Sequence, residues 1–259
     1  MLRHSEHGKW TRGQFLANHR PLGGKELAGR YAGGGEDRGA AMSRTRNDCC
    51  SQCEGIEQMF DEEHVDEDLR QYRAEGPDET TGWLLDELEK QGVDGLTLLD
   101  IGGGVGAIQH ELLANGVVSA VHVDASSAYV EAAKREAKRR KLEEKIEWHF
   151  GNFVDLAADL KPADIVTLDK VICCYDDMPS LVRKSAKLAK HFYGIVIPRD
   201  TWWLRIAFRV MDFFQGLFKN PYRAFVHPHE KMESIINRAG LKRIFERHNW
   251  VWETVLYSR

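Results

Sequence analysis

The sequence predicts an α/β fold, and three observations carry that prediction. Apolar runs at 96–101, 118–123, 146–150, 163–169 and 193–198 alternate with amphipathic runs near 105–115, 126–141 and 178–190, a pattern that implies parallel strands with helices on both faces. The first apolar run ends in a glycine-packed turn, Asp100-Ile-Gly102-Gly-Gly104-Val-Gly106, from which a helix starts at once. Two closing runs, Lys242–His248 and Trp250–Ser258, have no helix between them and read as an antiparallel hairpin at the sheet edge. Together they predict a Rossmann-like, seven-stranded, mostly parallel sheet with a C-terminal antiparallel hairpin.

The 259 residues suit one α/β domain with appendages. Residues 1–41 hold nine of the 23 glycines and almost no apolar periodicity, so they cannot bury enough surface to offset their ordering entropy and are expected to be a disordered extension. Met42 is an alternative start. Residues 42–95 are acidic, with helical spacing over Glu57–Tyr72 and Thr80–Gln91 and a break at Pro77. They predict a helical lid, followed by a cofactor domain over 96–259 with a helical insertion at 200–227. A net charge of −4 and a pI near 6.3 argue against a nucleic-acid binder. No apolar run reaches 18 residues, the first residues lack the apolar core of a secretory signal, and five cysteines fit a reducing cytoplasm.

The glycine turn fits two patterns. Gly102, Gly104 and Ala107 match the turn that binds nicotinamide and flavin dinucleotides. Asp100, Gly102, Gly104 and Gly106 match D-x-G-x-G-x-G, which resembles motif I of the class I S-adenosylmethionine (SAM) methyltransferases. An acid at the strand end would repel a pyrophosphate, whereas SAM brings an ammonium group that Asp100 can pair with. Asp124, at the end of the next strand and beside Ala125, stands where a ribose hydroxyl is held. The resemblance implies SAM as cofactor and S-adenosylhomocysteine as product. It also implies that Asn152, where the superfamily has an acid, accepts from the adenine amino group through its amide oxygen, with Phe153 over the ring.

The fourth strand runs into Leu168-Asp169-Lys170-Val171-Ile172-Cys173-Cys174-Tyr175. Ligands in open α/β sheets sit outside the carboxyl ends of strands, so Asp169 and Lys170 are expected at the cofactor, and Cys174 and Tyr175 near the transferred methyl. Adjacent residues of a strand point to opposite sides, so one of Cys173 and Cys174 is expected in the core. Cys49, Cys50 and Cys53 form C-C-x-x-C without the second ligand pair a zinc site needs, although His64 would have to contribute, and no metal centre is predicted. Arg135, Lys138, Arg139, Arg140 and Lys141 read as a solvated helix face. Over 202–218, Arg205, Arg209, Asp212 and Gly216 form one polar stripe on an otherwise apolar helix, expected to roof an apolar acceptor pocket, with a dimer contact or a peripheral membrane contact as the other uses.

Residues 70–259 resemble, more narrowly, the magnesium-protoporphyrin O-methyltransferase-like group, through Pro198-Arg-Asp-Thr-Trp202-Trp203, Phe225-Val-His227, Arg238-Ala-Gly-Leu241 and Tyr257-Ser-Arg259. The resemblance implies a lid over Leu69–Thr81 whose Tyr72 and Arg73 touch SAM, Arg73 at its carboxylate. The chain departs from the group where a histidine is expected before Tyr175 and Cys173-Cys174 stands instead. Methyl transfer from a sulfonium needs mainly alignment and desolvation. Tyr72, His227 and Asp176 are the candidate bases. Two small-molecule acceptor classes follow, a carboxylate on a large apolar molecule or a thiol or sulfide. A different class stays open, a SAM-binding regulator that senses redox state or metal without turnover.

Overall fold

The computed structural model describes residues 55–57, 59–217 and 223–259, with side chains described outside 212–217. The expectations for residues 1–41, Met42, the Cys49-Cys50-Cys53 cluster and the Asp212 and Gly216 end of the polar stripe lie outside the described residues. The first helix, α1, spans Glu62–Glu75, because Asp61 accepts the His64 N–H as an N-cap and Gly76 ends it at φ +83°. Residues 55–57 and 59 are also helical, so the helical stretch expected over Glu57–Tyr72 is broken at Phe60 and Asp61 by that cap. Asp78 caps α2, Glu79–Gln91, by accepting the Thr80 and Thr81 N–H groups.

The βα alternation follows. Its elements are β1 Thr97–Ile101, α3 Ala107–Ala114, β2 Ser119–Asp124, α4 Ser127–Arg140, β3 Ile146–Phe150, a short α5 Phe153–Leu156 and β4 Ala163–Asp169. A one-turn 3-10 helix, Ile172–Cys174, then leads to α6 Met178–Leu188, β5 Ala189–Pro198, α7 Trp202–Leu217, α8 His229–Arg238, β6 Lys242–His248 and β7 Trp252–Ser258. β5 begins at Ala189, paired with Ala163, four residues before its apolar run. Lys190 and His191 lie ahead of that run and mask the start of the strand, and both reach Asp164 on β4, at 3.4 and 3.7 Å.

The sheet order is β3-β2-β1-β4-β5-β7-β6. β1 to β5 run parallel, and β7 is antiparallel to both its neighbours. The hairpin is therefore not simply added at the edge. Its second strand inserts between β5 and β6, with Ile195 opposite Val255. Chemistry explains the exchange: Thr254–Tyr257 are buried, whereas β6 carries Lys242, Arg243, Glu246 and Arg247 and suits the water-facing edge.

Adjacent strand residues supply opposite cores. Leu99, Val166 and Ile195 pack with Leu181, Val182 and Ile236 from α6 and α8, while Leu98, Ile165 and Val196 pack with Leu84, Leu88 and Leu112 from α2 and α3. A Cβ on Gly194 would stand 2.7 Å from Leu84 Cδ1, so this glycine lets α2 lie directly on the sheet. Among the described residues no helix is long and apolar enough to cross a membrane.

The basic run on α4 is more than a solvated face. Glu136 is fully buried and accepts from Arg73 Nε at 2.8 Å and from Arg139 Nε and Arg140 Nε at 2.9 Å each. Arg140 also reaches Glu111 at 3.0 Å. Burial would raise the Glu136 carboxyl, but the surrounding guanidiniums hold it at about 2. A depressed folded-state value stabilises the fold above the ordinary carboxylate range and loses that stabilisation as pH falls through it. Glu136→Gln is expected to lower stability by about 2–3 kcal/mol at pH 7, below the usual cost of breaking a buried pair because Arg73 and Arg139 reach water. Denaturant titrations check this, and the gap to the parent protein should narrow as pH falls from about 4.5 toward about 2.

Candidate functional site

β1 and β4 are neighbours whose connections leave in opposite directions, which opens a crevice beyond their carboxyl ends. A cavity of about 560 Å³ lies there, walled by the glycine turn, the ends of β2 and β4, the 3-10 turn and the α1–α2 connection. Gly102, Gly104 and Gly106 have φ of +64°, +54° and +83°, values that disfavour side chains. Space adds a second constraint. A Cβ on Gly102 would stand 2.2 Å from Val171 Cγ2, one on Gly103 2.5 Å from His122 Nδ1, and one on Gly106 2.6 Å from Gln109 Nε2. At Gly104 the nearest atom is Tyr129 Cε1, 3.9 Å away.

Two acids stand at this turn. Asp100 is buried; its Oδ1 accepts from Thr167 Oγ1 at 2.7 Å, while Oδ2 has no protein donor. Burial raises its carboxyl to about 7. Asp124 accepts the Gly104 N–H at 2.9 Å and the Ser126 N–H at 2.8 Å, and burial still raises it to about 6. Asp124 and the neighbouring Ala125 both line the cavity.

Asn152 and Phe153 line the third wall. Asn152 Oδ1 caps α5 by accepting the Val154 N–H at 3.0 Å and also accepts from Tyr175 Oη at 3.2 Å. The oxygen expected to serve an adenine amino group thus has two protein donors, and the amide N–H groups remain to donate. Asp169 accepts from Thr81 Oγ1, and Lys170 Nζ reaches Asp78 Oδ2 at 2.5 Å and Asp169 Oδ1 at 3.2 Å. Burial would raise Asp78, yet the Lys170 charge and the α2-cap hydrogen bonds hold it at about 2.

The cavity gathers Asp100, Gly102, Gly104, Asp124, Ala125, Asn152, Phe153, Asp169, Lys170, Cys174, Tyr175 and Tyr72. Gly106, Arg73 and His227 do not line it. Gly106 turns toward Gln109 and His110, Arg73 is drawn to Glu136, and His227 Nε2 lies 2.9 Å from the Tyr175 carbonyl. Tyr72 lines the wall, but its hydroxyl donates to Glu111 at 2.7 Å, and burial followed by the Glu111 charge raises it well above its ordinary value. Among the described residues no α7 side chain lines the cavity, and Trp202, Ile206 and Val210 are exposed. Cys173 and Cys174 occupy the 3-10 turn rather than a strand; Cys173 is buried in the core, as expected of one of the pair, Cys174 is partly exposed, and both touch the cavity.

Sequence reasoning missed Asp78, Thr81, Tyr129 and Trp252, which also line it. Asp78 had a local signal, an N-cap acid directly after Pro77. Tyr129 and Trp252 had none, since each arrives through tertiary packing.

S-adenosylmethionine fits these residues. The buried Asp100 oxygen without a protein donor suits its ammonium, and the open side of Gly104 faces the cavity. The same oxygen stands 3.1 Å from the Cβ position of Gly103, where a dinucleotide would bring a pyrophosphate. Two alanine variants separate packing from ligand space. Gly102→Ala is expected to cost about 2 kcal/mol or more, from clash and positive φ together, whereas Gly104→Ala should cost about 1 kcal/mol and weaken SAM at least tenfold. Thermal denaturation and calorimetric titration check the split.

The chain matches the family model described as "Methyltransferase domain" over residues 52–255. Its fold is similar to magnesium protoporphyrin IX methyltransferase from Synechocystis, crystallised with S-adenosylhomocysteine: TM-score 0.62, 18% identity, 80% of this chain and 99% of that one. It is also similar to an N-methyltransferase from Bradyrhizobium japonicum (TM-score 0.52, 15% identity, 69% and 85% of the two chains). A third likeness is an O-methyltransferase family 2 protein from Planctomyces limnophilus in complex with apigenin (TM-score 0.50, 17% identity, 70% and 62%). No curated protein sequence matches the chain. With the match covering most of its length, the chain belongs to the methyltransferase-domain family and is a SAM-dependent methyltransferase.

Proposed function

We propose that the chain transfers the SAM methyl group to a small-molecule acceptor that brings its own electron-rich nucleophile, a carboxylate or a sulfur anion. One observation carries this reading: none of the three candidate bases is offered to the cavity. The Tyr72 hydroxyl is engaged as a hydrogen-bond donor to Glu111, and neither His227 nor Asp176 lines the wall. A phenol or amine acceptor needs a positioned base far more than a carboxylate or thiolate does. The similarity to a magnesium protoporphyrin IX methyltransferase and to an O-methyltransferase family 2 protein in complex with apigenin supports a small molecule as acceptor.

SAM supplies an activated methyl on a sulfonium, so the protein's work is binding, alignment and exclusion of water. Asp100 would hold the ammonium, Asp124 with Ala125 the ribose, and Asn152 with Phe153 the adenine. Arg73 is committed to Glu136, and among the described residues Lys170 is the one lysine or arginine lining the cavity. We therefore assign the SAM carboxylate to Lys170 in place of Arg73.

Release of S-adenosylhomocysteine from a panel of apolar carboxylates, thiols and sulfide tests the acceptor. Turnover confined to amines or phenols would refute it, and SAM binding with no turnover on any acceptor would favour a regulator. Lys170→Met is expected to weaken SAM about tenfold or more, the scale of one hydrogen bond to a charged group, and Arg73→Ala less than about threefold. Asp100 must ionise to pair with the ammonium. Its raised value of about 7 means that SAM affinity should fall as pH drops below about 7, with proton release on binding. Calorimetry at pH 6 in buffers of different ionisation enthalpy reads that proton; a flat profile would remove Asp100 from the ammonium site.

A further inference from the structure

The turn after β4 brings two thiols together. Lys170 holds φ +59°, a left-handed conformation rare for a side chain with a Cβ, and its N–H donates to the Val196 carbonyl at 2.9 Å. The chain then winds into the 3-10 turn Ile172–Cys174. As a result Cys173 Sγ and Cys174 Sγ lie 3.2 and 3.5 Å from one acceptor, the Lys170 carbonyl, and 3.7 Å from each other. Both cysteines line the cavity, and no disulfide joins them.

Two sulfurs on one short turn form a chelating pair, and thiol sulfur selects soft centres. A structural zinc needs four ligands and deprotonated thiols. The neighbouring thiol and burial instead push Cys173 well above its ordinary value, so it keeps its proton. A trivalent arsenical has no such requirement, because it exchanges its oxygen for sulfur and carries the protons away as water. We propose that Cys173 and Cys174 form a bidentate site for a trivalent arsenical on the wall of the cofactor cavity. With phenylarsine oxide, the arsenic–oxygen double bond breaks and two arsenic–sulfur bonds form. The two thiol protons leave on the oxygen as one water, and arsenic stays trivalent. The site goes beyond the acceptor reading, since the adduct forms without SAM and without turnover.

The test uses the full chain with Cys49, Cys50 and Cys53 changed to serine, so that the second thiol cluster does not compete. One equivalent of phenylarsine oxide is expected to give a single adduct by intact mass, stable in excess glutathione and removed by 2,3-dimercaptopropanol. In that background, Cys173→Ser and Cys174→Ser should each cut retention in glutathione at least tenfold. No adduct, or equal retention after either change, would overturn the proposal. Should the serine variants lose their circular dichroism, peptide mapping of the labelled parent chain decides. Arsenic bridging Cys173 and Cys174 within one peptide supports the site, and arsenic confined to the peptide carrying residues 49–53 overturns it. An adduct on a protein that releases no S-adenosylhomocysteine separates this site from the proposed function.

Discussion

The chain must leave β1 through a gap too narrow for a methyl group, and the rest of the site follows from that constraint. Three glycines of the turn answer to the protein itself: Gly102 to Val171, Gly103 to His122 and Asp100, Gly106 to Gln109 and His110. Of these partners Asp100, Gln109, His110 and His122 are buried polar groups next to the turn. Burial lowers His110 and His122 to about 3, so both rings are neutral and neither sets a cation against Asp100. Gly102, Gly103 and Gly104 all line the cavity, but only at Gly104 would a side chain find room, on the cavity side. The motif that reads as a ligand loop is therefore in large part a packing solution.

Charge organises the walls in the same way. Burial raises Asp100, Asp124 and Asp169 above their ordinary range, and Asp124 and Asp169 add to the effect on Asp100. Such acids favour a ligand that brings positive charge, and SAM brings two, on sulfur and on nitrogen. Lys170 is the counterweight, held between Asp78 and Asp169 with its ammonium near the Trp252 ring. Asp78 is also the N-cap of α2. An anion that drew on Lys170 would therefore act on the helix cap across the cavity.

The parallel sheet, the glycine turn and the acids at the ends of β1 and β2 were legible in the sequence because each rests on a local rule. Alternation of apolar runs sets the strands, positive φ demands glycine, and helix ends carry their caps nearby. Features that depend on distant partners were not legible. Nothing near Arg73 in the chain reveals that Glu136, 63 residues later, claims its guanidinium. Nothing near Trp250–Ser258 reveals that its strand lies inside β6, although the charges of β6 hold the information once the two strands are compared. The helix over 202–218 has the amphipathic signature of a packed element, yet Leu204 is the buried position among its described side chains, because a hydrophobic pattern shows that a face is apolar and not what it meets.

The thiol turn shows where a local rule fails for a local reason. The apolar run continues past Asp169 through Val171, Ile172 and Cys173, so composition extends the strand and assigns Cys173 and Cys174 to opposite sides. The strand in fact ends at Asp169, and the reversal occurs at Lys170, in a conformation that glycine or asparagine would have advertised. A lysine tolerates it because its ammonium is fixed by Asp78 and Asp169 and its N–H by Val196, which together offset a backbone cost of about 1–2 kcal/mol. The residue that conceals the turn from the sequence is thus the one whose charge stands on the cavity wall. The strain at Lys170, the pairing of the thiols and the placement of the only described lysine or arginine side chain on the cavity wall are consequences of one backbone reversal.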